Sequence, residues 1–113
     1  MFDEKTKQHL GHYVYFLIDP TTSKPFYVGK GQNDRVFNHI SCALENVIPS
    51  DKYDKIREIN ALGKTVGHLI VRHGLTEKEA FEIEASLIDT LYFLENGLTN
   101  VVGGQHSIDI FPK

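Results

Sequence analysis

The stretch KPFYVGKGQNDRVFNHI, Lys24 to Ile40, brings together Tyr27, Gly29, Lys30, Gly31, Arg35 and His39. Gly29 and Gly31 carry no side chain where a backbone could approach an anion, Lys30 and Arg35 supply cations, and Tyr27 and His39 can exchange protons. That mixture suits a phosphate that is bound and attacked. It is also what a strand, a glycine turn and a polar helix start would look like. A carboxylate stands out further along, in TEKEAFEIEASLIDTLY. At about 100° per residue, Glu84 falls about 40° from Ala80, inside an apolar arc that also holds Leu87, Leu91, Ile88, Phe81 and Tyr92. Glu79, Glu82, Ser86 and Asp89 fall on the opposite, solvent-facing side. A carboxylate turned toward the core is costly unless it is paired or bound to a metal. Two readings of Glu84 follow, an ion pair with Arg35, Arg57 or Arg72, or a metal ligand. Glu77, in the first turn, is the second acidic candidate.

The elements that would position these residues can be read from pattern and turn chemistry. YVYFLI (Tyr13 to Ile18) and FYVG are short β-forming runs separated by the turn-forming DPTTSKP, which makes a hairpin. Asn33 or Asp34 can cap a helix running to about Val47, with Val36, Phe37, Ile40, Ala43, Leu44 and Val47 inward and Arg35, His39, Cys42 and Asn46 along the edge. Ser50 or Asp51 can open a second helix carrying Ile56, Ile59 and Leu62, with Gly63 at its end. TVGHLIVRHG reads as a strand, and Thr76 with Glu79 has the spacing of a capping box for a third helix to about Tyr92. The expected fold is a small α+β domain, a three-stranded, mainly antiparallel sheet flanked by helices in the order β-β-α-α-β-α, with room for a short final strand after ENGLTNVVGG. Residues 1–11 are expected as a flexible N-terminal segment, 12–104 as the domain and 105–113 as a tail.

Composition narrows the class. The 113 residues are 41% hydrophobic and 24% charged, as in a folded globular domain rather than a disordered chain. No apolar run approaches the roughly 20 residues that cross a bilayer, and no secretory leader pattern is present, so an intracellular, cytoplasmic protein is expected. With Cys42 as the single cysteine, an internal disulfide and a paired-cysteine zinc site are excluded. A net charge of −3 argues against non-specific coating of nucleic acid. The charge is uneven, however: residues 1–60 hold 8 Lys and Arg against 8 Asp and Glu, and residues 61–113 hold 4 against 7. A cationic face beside an acidic metal ligand would produce such a split, although ordinary surface charge explains most of it. His9, His12 and His106 are expected in loops without a role, and His68 and His73 as structural residues.

In order and spacing the chain resembles the GIY-YIG endonuclease superfamily, in which two tyrosine-bearing strands are separated by ten or eleven residues. Tyr13-Val14-Tyr15 stands at the first half and Tyr27-Val28-Gly29 at the second, with eleven residues between Tyr15 and Tyr27. Arg35 with His39 one turn later, Glu84 three residues before Leu87-Ile88, and Asn100 in LTNVVGG match further elements of the pattern. The wording LIDP, KPFYVGKG and RVFNH looks closest to the branch of nucleases with ankyrin repeats and a LEM domain, and to its short bacterial relatives. Tyr13 replaces the usual glycine of the first triplet, which leaves Tyr13 and Tyr15 as candidates for the first tyrosine; spacing favours Tyr15.

The resemblance implies metal-dependent hydrolysis of DNA phosphodiester bonds, by nicking or cleavage, with branched or structured DNA among the candidate substrates and the sequence silent on which is cut. It implies one Mg²⁺ or Mn²⁺ held by Glu84, a phosphate clamp at Arg35, and proton work by Tyr15 or Tyr27 assisted by Lys30 and His39. Lys30 is expected to lower the Tyr27 pKa. Tyr13, Gly29, Gly31 and Asn100 are expected along the substrate. A nucleic-acid-binding module of the same fold with little or no catalysis is the alternative.

Overall fold

The computed structural model describes residues 1–45, 50–95 and 99. Val47, Asn46, Asn100, the expected final strand and the tail 105–113 lie outside them. The chain runs α1 (Glu4–Leu10), β1 (His12–Asp19), β2 (Lys24–Gly31), α2 (Arg35–Glu45), α3 (Asp51–Ala61), β3 (Gly67–Leu75) and α4 (Glu77–Glu95). The strands form one antiparallel sheet in the order β2-β1-β3. From β1 onward this is the expected β-β-α-α-β-α domain.

β1 is the middle strand, and both of its faces are covered. Side chains alternate across a strand, so Tyr13, Tyr15 and Leu17 face one way and Val14 and Phe16 the other. The first set packs with Val36 and Ala43 of α2 and Ile56 and Ile59 of α3; the second packs with Val28, Ala80 and Ile88, under α4. Tyr13, Val14, Tyr15 and Leu17 are all essentially without solvent contact. The sheet is thus sandwiched, with α2 and α3 on one face and α4 on the other.

The hairpin turn is built on Asp19. Its backbone carbonyl accepts from the N–H groups of Thr22 (3.3 Å) and Ser23 (2.8 Å), and its carboxylate accepts from the Thr21 N–H (2.8 Å) and hydroxyl (2.7 Å). Lys55 of α3 completes the carboxylate's shell at 2.7 Å and helps hold its pKa down to about 2. One buried acid therefore fixes the turn and docks α3 to it. α3 opens at Ser50, which accepts from the Tyr53 N–H at 3.0 Å. Gly63 follows its end with φ +72, the left-handed conformation that glycine adopts at little cost. The capping box at α4 forms in both directions: Thr76 N–H to Glu79 Oε1 (2.8 Å) and Glu79 N–H to Thr76 Oγ1 (3.2 Å).

The opening residues carry an element the sequence did not suggest: Asp3 caps α1, Leu10 is buried, and the Phe2 ring packs on Phe37 (centroids 5.1 Å apart) and on Tyr13 (6.3 Å). Three expectations are corrected. Among the described residues neither the Asn33 nor the Asp34 side chain bonds to an N–H in the first turn of α2. Asp34 instead accepts from the Phe2 N–H (2.9 Å) and pairs with Lys7 (3.2 Å), and the head of α2 is held by a tyrosine from the sheet. The Tyr13 hydroxyl donates to the Asn33 carbonyl (2.7 Å) and accepts from the Val36 N–H (3.1 Å). His39 is not on the edge of α2 but buried against the sheet, because the phenols beneath it give its ring a polar partner. On α4 the buried residues are Ala80, Ala85 and Ile88, while Phe81 and Tyr92 are 44% and 53% exposed, since a helical arc projected from sequence does not know where the sheet beneath it stops.

Tyr13→Phe removes both of those bonds and leaves the buried Val36 N–H without a partner. Urea unfolding should show a loss of about 1–3 kcal/mol. Unchanged stability would mean that α2 holds its start without the phenol.

Candidate active site

A cleft of about 740 Å³ opens where the C-terminal end of β2, the head of α2 and the flank of α4 meet. Tyr15, Tyr27, Lys30, Gly31, Arg35 and Glu84 all line it, together with His12, Gln32, Asn33, Asp34, Asn38 and Glu77. The residues singled out from sequence on two strands and two helices therefore reach one cavity. Tyr13, Gly29 and His39 are not part of its lining; His39 stands behind Tyr15. Asn100 lies outside the described residues.

The two glycines make room for the side chains of the site. Tyr15 and Gly29 are cross-strand partners, and the Tyr15 ring lies across the glycine: a Cβ on Gly29 would come within 2.5 Å of both Cζ and Oη of the phenol. A Cβ on Gly31 would come within 2.9 Å of the Arg35 Cβ and 3.1 Å of its Cδ. Any larger residue at 29 would push Tyr15 out of its place, and one at 31 would crowd Arg35. Tyr13, also expected at the substrate, is fully buried, and its hydroxyl is taken up by the backbone at the start of α2.

Tyr15, Tyr27 and His39 form an aromatic group, with centroids 5.2 Å apart for Tyr27 and His39, 5.7 Å for Tyr15 and His39, and 6.4 Å for the two tyrosines. The Tyr15 hydroxyl is hydrogen-bonded to His39 Nε2. Burial, helped by the neighbouring Tyr27, raises the Tyr15 pKa far above its ordinary value, so this phenol is protonated at neutral pH. Burial, with the charges of Lys52, Arg35 and His68 added, pushes His39 down to about 4, so the imidazole is neutral. At neutral pH the phenol is then the donor and Nε2 the acceptor. Tyr27 is raised by burial and by the Glu84 charge, with Arg35 opposing.

Glu84 is half-buried on the opposite wall. Burial raises its pKa, while the Lys30 ammonium and backbone N–H favour the charged form. The ion pair weighed from sequence is not found among the described residues, where Arg57 bonds to Asp54 (3.1 Å) and to the Ala43 carbonyl (2.8 Å) instead. No group of three or more His, Cys, Asp or Glu side chains converges among the described residues. A metal in this cleft would rest on Glu84 and water, a donor set that suits a hard, well-hydrated divalent ion. Lys30 does not act on Tyr27 as expected. It is the cross-strand partner of Val14, three residues from Tyr27 and so on the other face of β2, where its charge falls on Glu84.

Sequence reasoning passed over three further features. His12, expected in a loop, opens β1, lines the cleft and lies within hydrogen-bond distance of the Gln32 amide. Asn38 also lines the cleft, one turn along the face of α2 that carries Arg35, and helical spacing alone could have marked it. Lys52 sits in the first turn of α3 with its ammonium 4.5 Å from the Tyr27 ring centroid. The spacing within α3 carries no signal for it.

A family model for the LEM-3-like GIY-YIG domain matches residues 12–110. The fold and the assembly of Tyr15, Tyr27, Arg35 and Glu84 around one cleft accord with that match, and the chain belongs to the GIY-YIG superfamily, in its LEM-3-like branch. GIY-YIG domains are generally nucleases. No curated protein and no solved structure gives a significant match to the chain. Among the described residues no helix is long and apolar enough to cross a membrane.

The depressed His39 has a measurable consequence. Below about pH 6.5 the unfolded chain takes up a proton on this histidine, and the native protein does so only near 4. The stabilisation from keeping His39 neutral is therefore complete above pH 6.5 and is lost as the pH falls toward 4, by at most about 3 kcal/mol. Urea melts of wild type and His39→Gln at several pH values should converge as the medium is acidified through that window. A constant difference between them would show that His39 titrates normally in the native protein.

Proposed function

We propose that this protein is a divalent-metal-dependent DNA endonuclease that hydrolyses phosphodiester bonds on branched or otherwise structured DNA. What supports this reading most is that Tyr15, Tyr27, Arg35 and Glu84, carried by β1, β2, α2 and α4, line a single cleft in a domain of a nuclease family. Glu84 would hold one Mg²⁺ or Mn²⁺, which when bound supplies Lewis-acid stabilisation of the phosphate and of the departing 3′ oxygen.

The other residues have roles that follow from their positions. Arg35, set over Gly31 at the first position of α2, reaches into the cleft as a charge-assisted donor to a non-bridging phosphate oxygen, where negative charge grows in the transition state. Tyr15 is too weak an acid to be a phenolate at neutral pH, so it serves as a relay. As water attacks phosphorus, its proton passes to the Tyr15 oxygen while the Tyr15 proton passes to His39 Nε2. Neutral His39 is ready to accept at pH 7, and the imidazolium it becomes is stabilised by the anionic phosphate nearby. Of the two tyrosines left open by the sequence, the bond to His39 favours Tyr15 for this step. Tyr27, which makes no hydrogen bond to a described residue, serves as a donor to the phosphate. Lys30 keeps Glu84 ionised, and His12, Gln32 and Asn38 lie along the path of the bound strand.

The test is nicking of supercoiled plasmid and cleavage of branched and linear duplexes, with Mg²⁺ or Mn²⁺ and with EDTA. Arg35→Ala should cut about two to three orders of magnitude more slowly at an unchanged melting temperature. Glu84→Gln should lose cleavage with both metals yet still bind DNA in EDTA, because the carboxylate is not needed for phosphate contacts. Wild-type protein that binds the duplexes but leaves them intact under all metal conditions would assign the binding module instead.

A further inference from the structure

Asp34 lines the cleft immediately before Arg35 in the chain, yet the proposed chemistry gives it no task. Its charge is a liability there. The charged side chains of the lining are Lys30 and Arg35 against Asp34, Glu77 and Glu84, so the cleft by itself holds more carboxylates than cations. A phosphate is an anion, and a bare carboxylate beside the place it must occupy opposes its binding. Glu84 has Lys30 next to it and would carry the metal. Asp34 has to be neutralised in another way.

The neutralising groups come from outside the cleft. Both oxygens of Asp34 are taken by the N-terminal segment: Oδ1 accepts from the Phe2 N–H at 2.9 Å, and Oδ2 pairs with the Lys7 ammonium at 3.2 Å. Neither Phe2 nor Lys7 lines the cleft. The Lys7 and Asp34 side chains keep only 23% and 17% of their exposure, so salt screens this pair less than one standing free in solvent. The segment also has anchors of its own, with the Phe2 ring on Tyr13 and Phe37 and Leu10 buried at the end of α1. Lys7 reaches a second carboxylate, Glu4, at 3.2 Å, but that one is exposed on α1 and is not part of the lining. The family match begins at residue 12, so α1 stands outside the matched domain.

We infer that α1 belongs to the DNA-binding site: Lys7 is a positioning residue that neutralises Asp34, so that Arg35 meets a backbone phosphate without an opposing charge at its side. The inference rests on the nuclease reading for the identity of the anion. Its physical content is narrower, since Lys7 acts through Asp34 and not by touching DNA. Removing the Lys7 charge should therefore weaken binding, and removing the Asp34 charge as well should undo the loss. Asn at position 34 keeps an oxygen for the Phe2 N–H, so the segment stays attached. Removing the charge of Glu4, the other partner of Lys7, should not help, because that carboxylate does not face the cleft.

The experiment measures binding of a fluorescent four-way DNA junction and a linear duplex by anisotropy in EDTA at low salt, with melting curves of each variant. Lys7→Gln should bind about three- to tenfold more weakly than wild type. Lys7→Arg should bind like wild type, and the double variant Lys7→Gln with Asp34→Asn should return to the wild-type affinity. The double variant Lys7→Gln with Glu4→Gln should stay weak. If Lys7→Gln does not fold, Lys7→Met, which keeps the apolar stem, takes its place in each comparison. Unchanged affinity in the Lys7 variant would overturn the proposal. So would a loss that Asp34→Asn fails to repair, which would mark Lys7 as a direct DNA contact or a purely structural residue, and so would equal repair by Glu4→Gln. The expected ranking in a protein that binds both DNAs but cuts neither with Mg²⁺ or Mn²⁺ would uphold the proposal and count against the nuclease reading alone.

Discussion

Two buried phenols on the central strand set the register of α2 on the sheet, and the rest of the site depends on it. Tyr13 and Tyr15 point the same way from β1, one strand repeat apart, and each ends on a polar partner in α2 or at its head. The first anchors the backbone at Asn33 and Val36; the second holds His39 one turn beyond Arg35. A helix fixed at both places cannot rotate or slide without leaving a buried polar group unsatisfied. Arg35, at the first helical position between those anchors, is therefore presented to the cleft by interactions it does not itself make.

A second constraint comes from β2. As the outer strand of the three described, it has to let groups from both faces of the sheet approach one point, and it does so with small residues. Gly29 leaves space for Tyr15 to lie across the strand, and Gly31 leaves space for Arg35 to fold down over it. Arg35 and the phenols come to the cleft from the α2 side, and the Glu84 carboxylate, with Lys30 beside it, comes from the α4 side. Arg35 and Glu84 thus approach from opposite faces of the sheet, and each stays available to a ligand in the cleft. The polar groups behind the cleft are depressed or raised in pKa mainly by burial, which keeps Tyr15 and His39 uncharged side by side.

Much of this was legible in the sequence because it depends on local pattern. The hairpin, the capping box of Thr76 and Glu79, the opening of α3 at Ser50 and the position of Glu84 among apolar neighbours all follow from periodicity and turn chemistry. What was hidden depends on contacts between distant segments. Tyr13 as the anchor of α2, Phe2 and Lys7 packed on α2 through α1, and Lys52 against Tyr27 join residues that no local rule connects. Lys30 is a different case. Strand alternation places it on the opposite face from Tyr27, so its partner could have been chosen correctly from the sequence alone.

The account stands on one phosphate being held between Arg35 and a metal at Glu84, with Tyr15 beside it. The most direct measurement is a crystal structure of Tyr15→Phe bound to a branched DNA duplex in Mn²⁺, using the anomalous signal of manganese to locate the ion. One manganese on the Glu84 carboxylate, with a backbone phosphate between it and the Arg35 guanidinium, is the expected result. Manganese bound away from Glu84, or DNA lying on another face with the cleft empty of phosphate, would contradict it.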